Sequence, residues 1–334
     1  MQTTRPRSPV LPWSLYPLLL VASLSGSWAL QWLGLASGPS VSLAILMPAL
    51  VIQLIERRWP HHRSWRPNRR TWVVDLSHSL LSSAAVPSLL HAATIGALHA
   101  GTERLLTWDL ALWPSDAPLG LQLLGALLVA EFGTYWAHRT YHELLPLWPI
   151  HAVHHSAEKM HSLAAGRTHP INIATTFFVS TAPLVLLGAP IETIALLNVF
   201  TGVNGLLQHA NIDMRLGPLA WIFAGPDLHH YHHSRLLAES NANYGSNLIV
   251  WDVIFGTRHA PHGQRPSTEL GLNEASLPDH FWLHLGLPFT YKQNTRRYRR
   301  SPITPPPLSP ATTKPGTSWP DPPTQTPSKP VTVS

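Results

Sequence analysis

Long apolar runs separated by short polar punctuation dominate the first two-thirds of the chain. Leu11 to Ala36, Val41 to Ile55, Val73 to Ala100 and Pro118 to Ala137 approach or exceed the roughly 20 residues that cross a bilayer as a helix. The second run closes on Glu56, Arg57 and Arg58, and the third carries Asp75, His78 and His91. Two further runs, Ile171 to Gly188 and Ile191 to Leu207, are split by Ala189-Pro190, which predicts a hairpin that dips in and returns to the same side. Ser27-Trp28-Ala29 resembles a signal-peptide cleavage site, but the apolar stretch runs past it, so a retained span is expected. The predicted fold is all-α: a polytopic transmembrane helical bundle.

Charge adds the orientation. Arg5 and Arg7 precede the first run, and six Arg crowd positions 57–70. Loop 101–117 holds only Arg104, against Glu103, Asp109 and Asp116. If the chain threads in, out, in, out, in, every Lys and Arg but Arg104 falls on one side, which the positive-inside rule makes cytoplasmic. A multi-pass protein of a bacterial inner membrane is expected. Four segments follow from the pattern: N-terminal membrane helices over 1–117, a catalytic segment over 118–260, a C-terminal cytoplasmic segment over 261–300 and a disordered tail over 301–334. That tail contains 11 Pro. Arg296, Arg297, Arg299 and Arg300 before it suit either anionic lipid headgroups or a solvated linker. Topology accounts for the net charge of +6, and no nucleic-acid-binding motif is visible.

Composition then narrows the chemistry. Only 12% of residues are charged, about half the usual share. Cys is absent, which excludes disulfides, thiolate-ligated haem, iron–sulfur clusters and cysteine zinc sites. His is abundant: 21 residues, of which twelve lie between positions 138 and 233. His138 and His142 are spaced i, i+4. His151, His154 and His155 are spaced i, i+3, i+4, and His229, His232 and His233 repeat that spacing. On a helix such positions share a face, so each cluster is expected to clasp a metal ion. One His-x-x-His-His pattern arises by chance about 0.08 times in a chain of this His content.

All three clusters lie on the side called cytoplasmic, forming a histidine-rich helical cap. The hairpin returns His209 to the level of His169, which makes both candidates. Eight cluster histidines together with His209 exceed the needs of one ion and imply two. Imidazole suits iron, zinc, copper or nickel. The carboxylates Glu131, Glu143, Glu158 and Asp227 are too scattered for a carboxylate-bridged site. Glu131 and Asp227 are expected at most as metal-site or outer partners, holding the far nitrogen of an imidazole.

Several stretches carry a resemblance: His138-Arg139-Thr140-Tyr141-His142, Trp148-Pro149-Ile150-His151-Ala152-Val153-His154-His155-Ser156, Arg167-Thr168-His169-Pro170, Gln208-His209-Ala210-Asn211, Leu228-His229-His230-Tyr231-His232-His233-Ser234, Asn243-Tyr244-Gly245 and Trp251-Asp252-Val253-Ile254-Phe255-Gly256-Thr257. Residues 118–260 resemble the fatty acid hydroxylase superfamily, also called the sterol desaturase family. The resemblance implies a non-haem di-iron centre that activates O2 and hydroxylates or desaturates a lipid C–H bond. Carried over, the metal ligands are His138, His142, His151, His154, His155, His229, His232 and His233, with His209 from its place in the pattern and His169 less firmly. His161 and His230 are left out. No Gly-rich dinucleotide fingerprint is visible, so a separate electron donor is implied: a reductase, a ferredoxin or a b-type cytochrome. Two other functions compete. A zinc-dependent membrane hydrolase would call for a His-Glu-x-x-His motif, which is absent. A metal transporter would place His along the spans, where only His78, His91 and His99 qualify.

Overall fold

A computed structural model describes residues 11–99, 112–261 and 266–303. The disordered tail expected over 301–334 lies almost wholly outside the described residues, as do His262 and loop residues 100–111 with Arg104. Among the described residues there is no strand, only isolated bridges such as Phe223 with Leu248.

Four helices are long and apolar enough to cross a membrane. Helix α1 is Leu11–Trp32 and α2 is Ser37–Arg58. Helix α3, Arg69–His78, runs through a π-helical stretch, Ser79–Ala84, into α4, Ala85–His99. Helix α5 is Leu119–Glu143. Their apolar side chains point outward: Leu18, Leu50, Leu54, Leu80, Leu89 and Leu121 are all exposed. A surface of that kind needs lipid as its solvent, so this is a membrane protein.

Helices α7, Pro170–Leu186, and α8, Ile191–His209, flank the break expected at Ala189-Pro190, and both pack on α5. Helix α8 is the most buried of the long helices. Val199, Val203 and Leu207 face a core shared with α1, α2 and α5. Helix α7 lies along α5, where Gly133 lets the backbones meet: a Cβ there would run into the Val179 carbonyl oxygen.

The remaining helices are short: α6 (Trp148–His155), α9 (Pro226–His232), α10 (Leu237–Ser240) and α11 (Val250–Ile254), followed by the longer α12 (Phe281–Arg297). They gather at the end of the bundle that also carries the arginine-rich loop after α2. His61 N donates to Asn211 O at 2.8 Å, and Arg70 Nε donates to Asp279 O at 2.7 Å. Beneath this cap lies a buried ionic group. Asp75 accepts from Arg167 Nε at 2.5 Å and from His161 Nε2 at 2.7 Å, and Arg167 also meets Asp279 at 2.8 Å. In the C-terminal basic cluster, Arg300 pairs with Glu158 at 2.8 Å and donates to the Leu272 carbonyl. That residue is a structural strut of the cap.

Candidate metal centre

The histidines come from short helices whose starts are set by proline. Trp148-Pro149 opens α6, and Pro226 opens α9, where fixed φ and a missing N–H cost nothing. Helix α5 contributes His138 and His142 from its last turns, and α8 ends on His209.

The nine imidazoles converge as two groups. Donor nitrogens of His138, His142, His151, His155 and His232 all lie within 4.8 Å of one another. Those of His154, His209, His229 and His233 do the same. Each group can hold one metal ion. The clusters do not act as separate clasps, as the spacing predicts. In both His-x-x-His-His motifs the i and i+4 residues enter one group and the i+3 residue enters the other. His154 joins His229 and His233, while His232 joins His151 and His155. The reason lies in helix geometry: four residues advance about 40° beyond a full turn and three fall about 60° short, so i+3 and i+4 diverge by about 100°.

Within the groups the nitrogens are close. Nε2–Nε2 separations are 3.1 Å for His142–His155, His155–His232, His229–His209, His233–His154 and His233–His229, and 3.3 Å for His209–His154. Two nitrogens bound at about 2.1 Å to one ion stand about 3.0 Å apart at a right angle and about 3.4 Å apart at the tetrahedral angle.

The outer nitrogens decide what these contacts are. His138 Nδ1 faces Tyr244 O at 2.7 Å, His154 Nδ1 faces Arg167 O at 3.2 Å, His209 Nδ1 faces Gly205 O at 2.8 Å and His232 Nδ1 faces Ala242 O at 2.8 Å. His151 Nδ1 and His142 Nδ1 face the amide oxygens of Asn172 and Asn241, at 2.7 and 3.3 Å. Carbonyl oxygens only accept, so each Nδ1 carries the proton and each Nε2 presents a lone pair inward. Burial holds the imidazoles of His151, His154, His155, His229, His232 and His233 well below their ordinary pKa, so these rings are neutral. His154 and His209 therefore turn lone pair against lone pair, which is no hydrogen bond. The buried Nε2 atoms of His138 and His151 have no partner at all among the described residues. A donor set of this kind fits a cation in each group.

One loop carries much of the orientation. The carbonyls of Ala242 and Tyr244 hold His232 and His138, while the loop's amides point the other way. Asp252 accepts from Tyr244 N at 2.8 Å and Gly245 N at 2.7 Å, and Glu131 accepts from Ser246 N and, at 2.9 Å, from Asn247 N. Glu131 thus touches no imidazole, contrary to the expectation that it holds the far nitrogen of one. It acts one step away, through the loop. Asp227 also stands apart from the imidazoles. It lies in the first turn of α9, where burial pushes its carboxyl up. His169 is in neither group: its Nδ1 accepts from Ile171 N at 3.1 Å, capping α7, and its Nε2 donates to Leu285 O at 3.1 Å. His161 is occupied by Asp75, and His230 stands edge-on to Trp65 with ring centroids 5.2 Å apart. Sequence reasoning missed Asn172, Arg167 and Asp75. Asp75 gave a signal as a carboxylate inside an apolar run, and Arg167 lay in the Arg167-Thr168-His169-Pro170 stretch without a role assigned to it.

A sequence model of the fatty acid hydroxylase family matches residues 123–257, the stretch that contains both groups. The chain is 36% identical over 291 residues to an ornithine lipid hydroxylase of Rhizobium tropici, covering 83% of this chain and 84% of that one. The chain belongs to the fatty acid hydroxylase family. It is 36% identical over 138 residues to the alkylglycerol monooxygenase of Homo sapiens, of which it spans 30%, and 30% identical over 146 residues to a methylsterol monooxygenase of Arabidopsis thaliana, of which it spans 54%. No solved structure matches. As a member of this family of iron-using enzymes, the protein is a membrane-bound, oxygen-dependent oxidoreductase acting on lipid.

Proposed function

We propose that the protein inserts oxygen into, or desaturates, a C–H bond of a polar membrane lipid, using O2 and two iron ions. His138, His142, His151, His155 and His232 would hold one ion, and His154, His209, His229 and His233 the other. The observation that carries this reading is the surplus of lone pairs facing inward: His154 and His209 turn theirs on each other at 3.3 Å, and those of His142 and His232 both meet His155 Nε2 at 3.1 Å, where a single proton could satisfy only one of them. Bound iron supplies the oxidising power that an unactivated C–H bond requires and that side-chain acids and bases lack. The chain's own part is preorganisation. Backbone carbonyls and Asn amides fix the tautomers of six of the nine rings, burial keeps bulk water out, and the absence of a carboxylate from both groups among the described residues leaves their charge to the ions.

The choice of a polar lipid rests on the ornithine lipid hydroxylase, which the chain matches over most of its length. Electrons would come from a separate donor: a reductase, a ferredoxin or a b-type cytochrome. The histidine cap would face the cytoplasm of a bacterial inner membrane, with residues 118–260 as the catalytic segment between membrane helices and the C-terminal region. Probes at His62 and after Ser334 should label from the same side, and labelling from opposite sides would overturn this sidedness. The function is tested by supplying the iron-loaded protein with membrane lipid extract, a reductant and isotopically heavy O2. One heavy oxygen atom in a lipid product supports hydroxylation, and a lipid changed equally well without O2 refutes the reading.

A further inference from the structure

Where α2 stops and α3 begins, the protein forms an open cavity of about 400 Å³. Small-molecule sites have volumes of roughly 300–1,000 Å³. Arg57, Arg66 and Arg69 stand at this cavity, exposed at its rim, and Trp72 forms part of its wall. None of the three guanidinium groups pairs with a carboxylate among the described residues. The one acid in the lining, Glu56, is already occupied. Its Oε1 accepts from Ser162 N at 2.8 Å and Asn211 N at 2.7 Å, and its Oε2 accepts from Ser162 Oγ at 2.9 Å and Gln53 Nε2 at 3.2 Å. Trp72 Nε1, by contrast, is buried with no acceptor. The lining thus brings together three arginines without carboxylate partners, of which Arg66 also donates to the Arg57 carbonyl at 2.9 Å, and Trp72, whose buried Nε1 lacks an acceptor; His161 Nδ1 is the other unpartnered nitrogen of the lining residues.

The positive-inside rule explains arginines in this loop. It does not explain why three of them converge on a concavity beside a donor that lacks an acceptor. We propose that this cavity binds the phosphate or carboxylate oxyanion of a polar lipid headgroup. Arg57 and Arg69 would supply the charge and Trp72 Nε1 a directed hydrogen bond, a pairing suited to oxyanions. The proposal rests on the reading of a polar lipid as substrate. Its depth suits a headgroup, because Arg57 lies in the last turn of one candidate span and Arg69 opens the next. Its position suits the metal centre, because the lining residue Asn211 follows His209 by two residues, a Cα separation of roughly 7 Å at most.

The test uses the full iron-loaded chain in neutral detergent. Native mass spectrometry measures retention of phosphatidylglycerol, with diacylglycerol as a probe of equal tails and no oxyanion. Phosphatidylglycerol should bind at least about ten-fold more tightly than diacylglycerol. Arg57→Gln combined with Arg69→Gln should abolish that preference, and Trp72→Phe, which keeps the ring and removes the N–H, should weaken it several-fold. Arg296→Gln with Arg299→Gln, in the other basic cluster, should leave it intact. Inorganic phosphate should compete with the lipid. Equal loss in both double variants, or no loss in Arg57→Gln with Arg69→Gln, would overturn the proposal. So would binding of inorganic phosphate without any preference for phosphatidylglycerol, which would assign the cavity to a soluble anion. Turnover is not read, so a failed oxygenase assay leaves this result standing, and iron content measured on the same samples separates lost binding from a lost metal centre.

Discussion

The imidazoles of His155 and His233 stack at an interplanar angle of 22° with centroids 4.7 Å apart, although His155 belongs to the five-histidine group and His233 to the four-histidine group. The two groups therefore share a wall. Adjacent residues of α6, His154 and His155, feed opposite sides of it, and His232 and His233 do the same from the end of α9.

Crossed donation predicts an unusual pattern of metal loss. His154→Ala and His155→Ala should each lower the metal content from about two ions per chain to about one, but by removing different ions. Combining His154→Ala with His209→Ala should remove little more, whereas His154→Ala with His155→Ala should remove both. Elemental analysis of the four variants checks this. If the first pair empties the protein as fully as the second, the division into two groups is wrong.

Glu131 should matter without touching a metal-facing ring. Glu131→Leu leaves the amides of half-buried Ser246 and buried Asn247 without acceptors, at a cost of about 1–3 kcal/mol for the buried one. The loop that holds His138 and His232 should then loosen, and metal affinity should fall about 10–100-fold, as for other outer partners of metal-binding histidines. Glu131→Gln, which keeps one acceptor, should lose less. Metal dissociation constants for the two variants provide the check. Unchanged affinity in Glu131→Leu would separate the loop from the centre.

Two histidines outside the groups should behave as structural residues. His169→Ala removes a helix cap and should cost about 1 kcal/mol of stability while metal stoichiometry holds. His230→Gln should also keep both ions, since its ring packs on Trp65. A His230→Gln protein as metal-poor as His229→Gln would place His230 in the centre.

The buried Asp75 should be needed to fold the cap. Asp75→Ala leaves Arg167 facing only Asp279, and breaking a buried pair costs about 3–5 kcal/mol. The Arg167 carbonyl also orients His154, so metal loss should accompany the fall in thermal midpoint. Asp75→Asn should show a smaller fall. A full midpoint in Asp75→Ala would mean that the ionic group does not brace α3 against the cap.

The apolar runs were long enough to mark each membrane helix, and Pro190 marked the break after which α8 brings His209 beside His154. The His-x-x-His-His spacing marked the metal-binding character of α6 and α9. It could not reveal that His154 and His232 change places between groups, because that depends on how α6 and α9 face each other across some eighty residues of chain. The same limit hid Asn172, whose amide reaches His151 only because α7 packs beside α6. Glu131 misled for a related reason. Its place one helical face below His138 suggested contact, but the space beside it is filled by the 242–247 loop, whose amides claim the carboxylate first.

Whether the two buried histidine groups hold a pair of iron ions that drive O2-dependent lipid oxidation can be decided by metal exchange. The metal is stripped from the full chain and restored as either ferrous iron or zinc. Metal content and lipid conversion are then measured with and without O2. Uptake of about two iron ions per chain is expected, with lipid oxidation only when iron, O2 and a reductant are present together. Lipid turnover by the zinc form, or by the iron form in the absence of O2, would contradict a di-iron oxygenase.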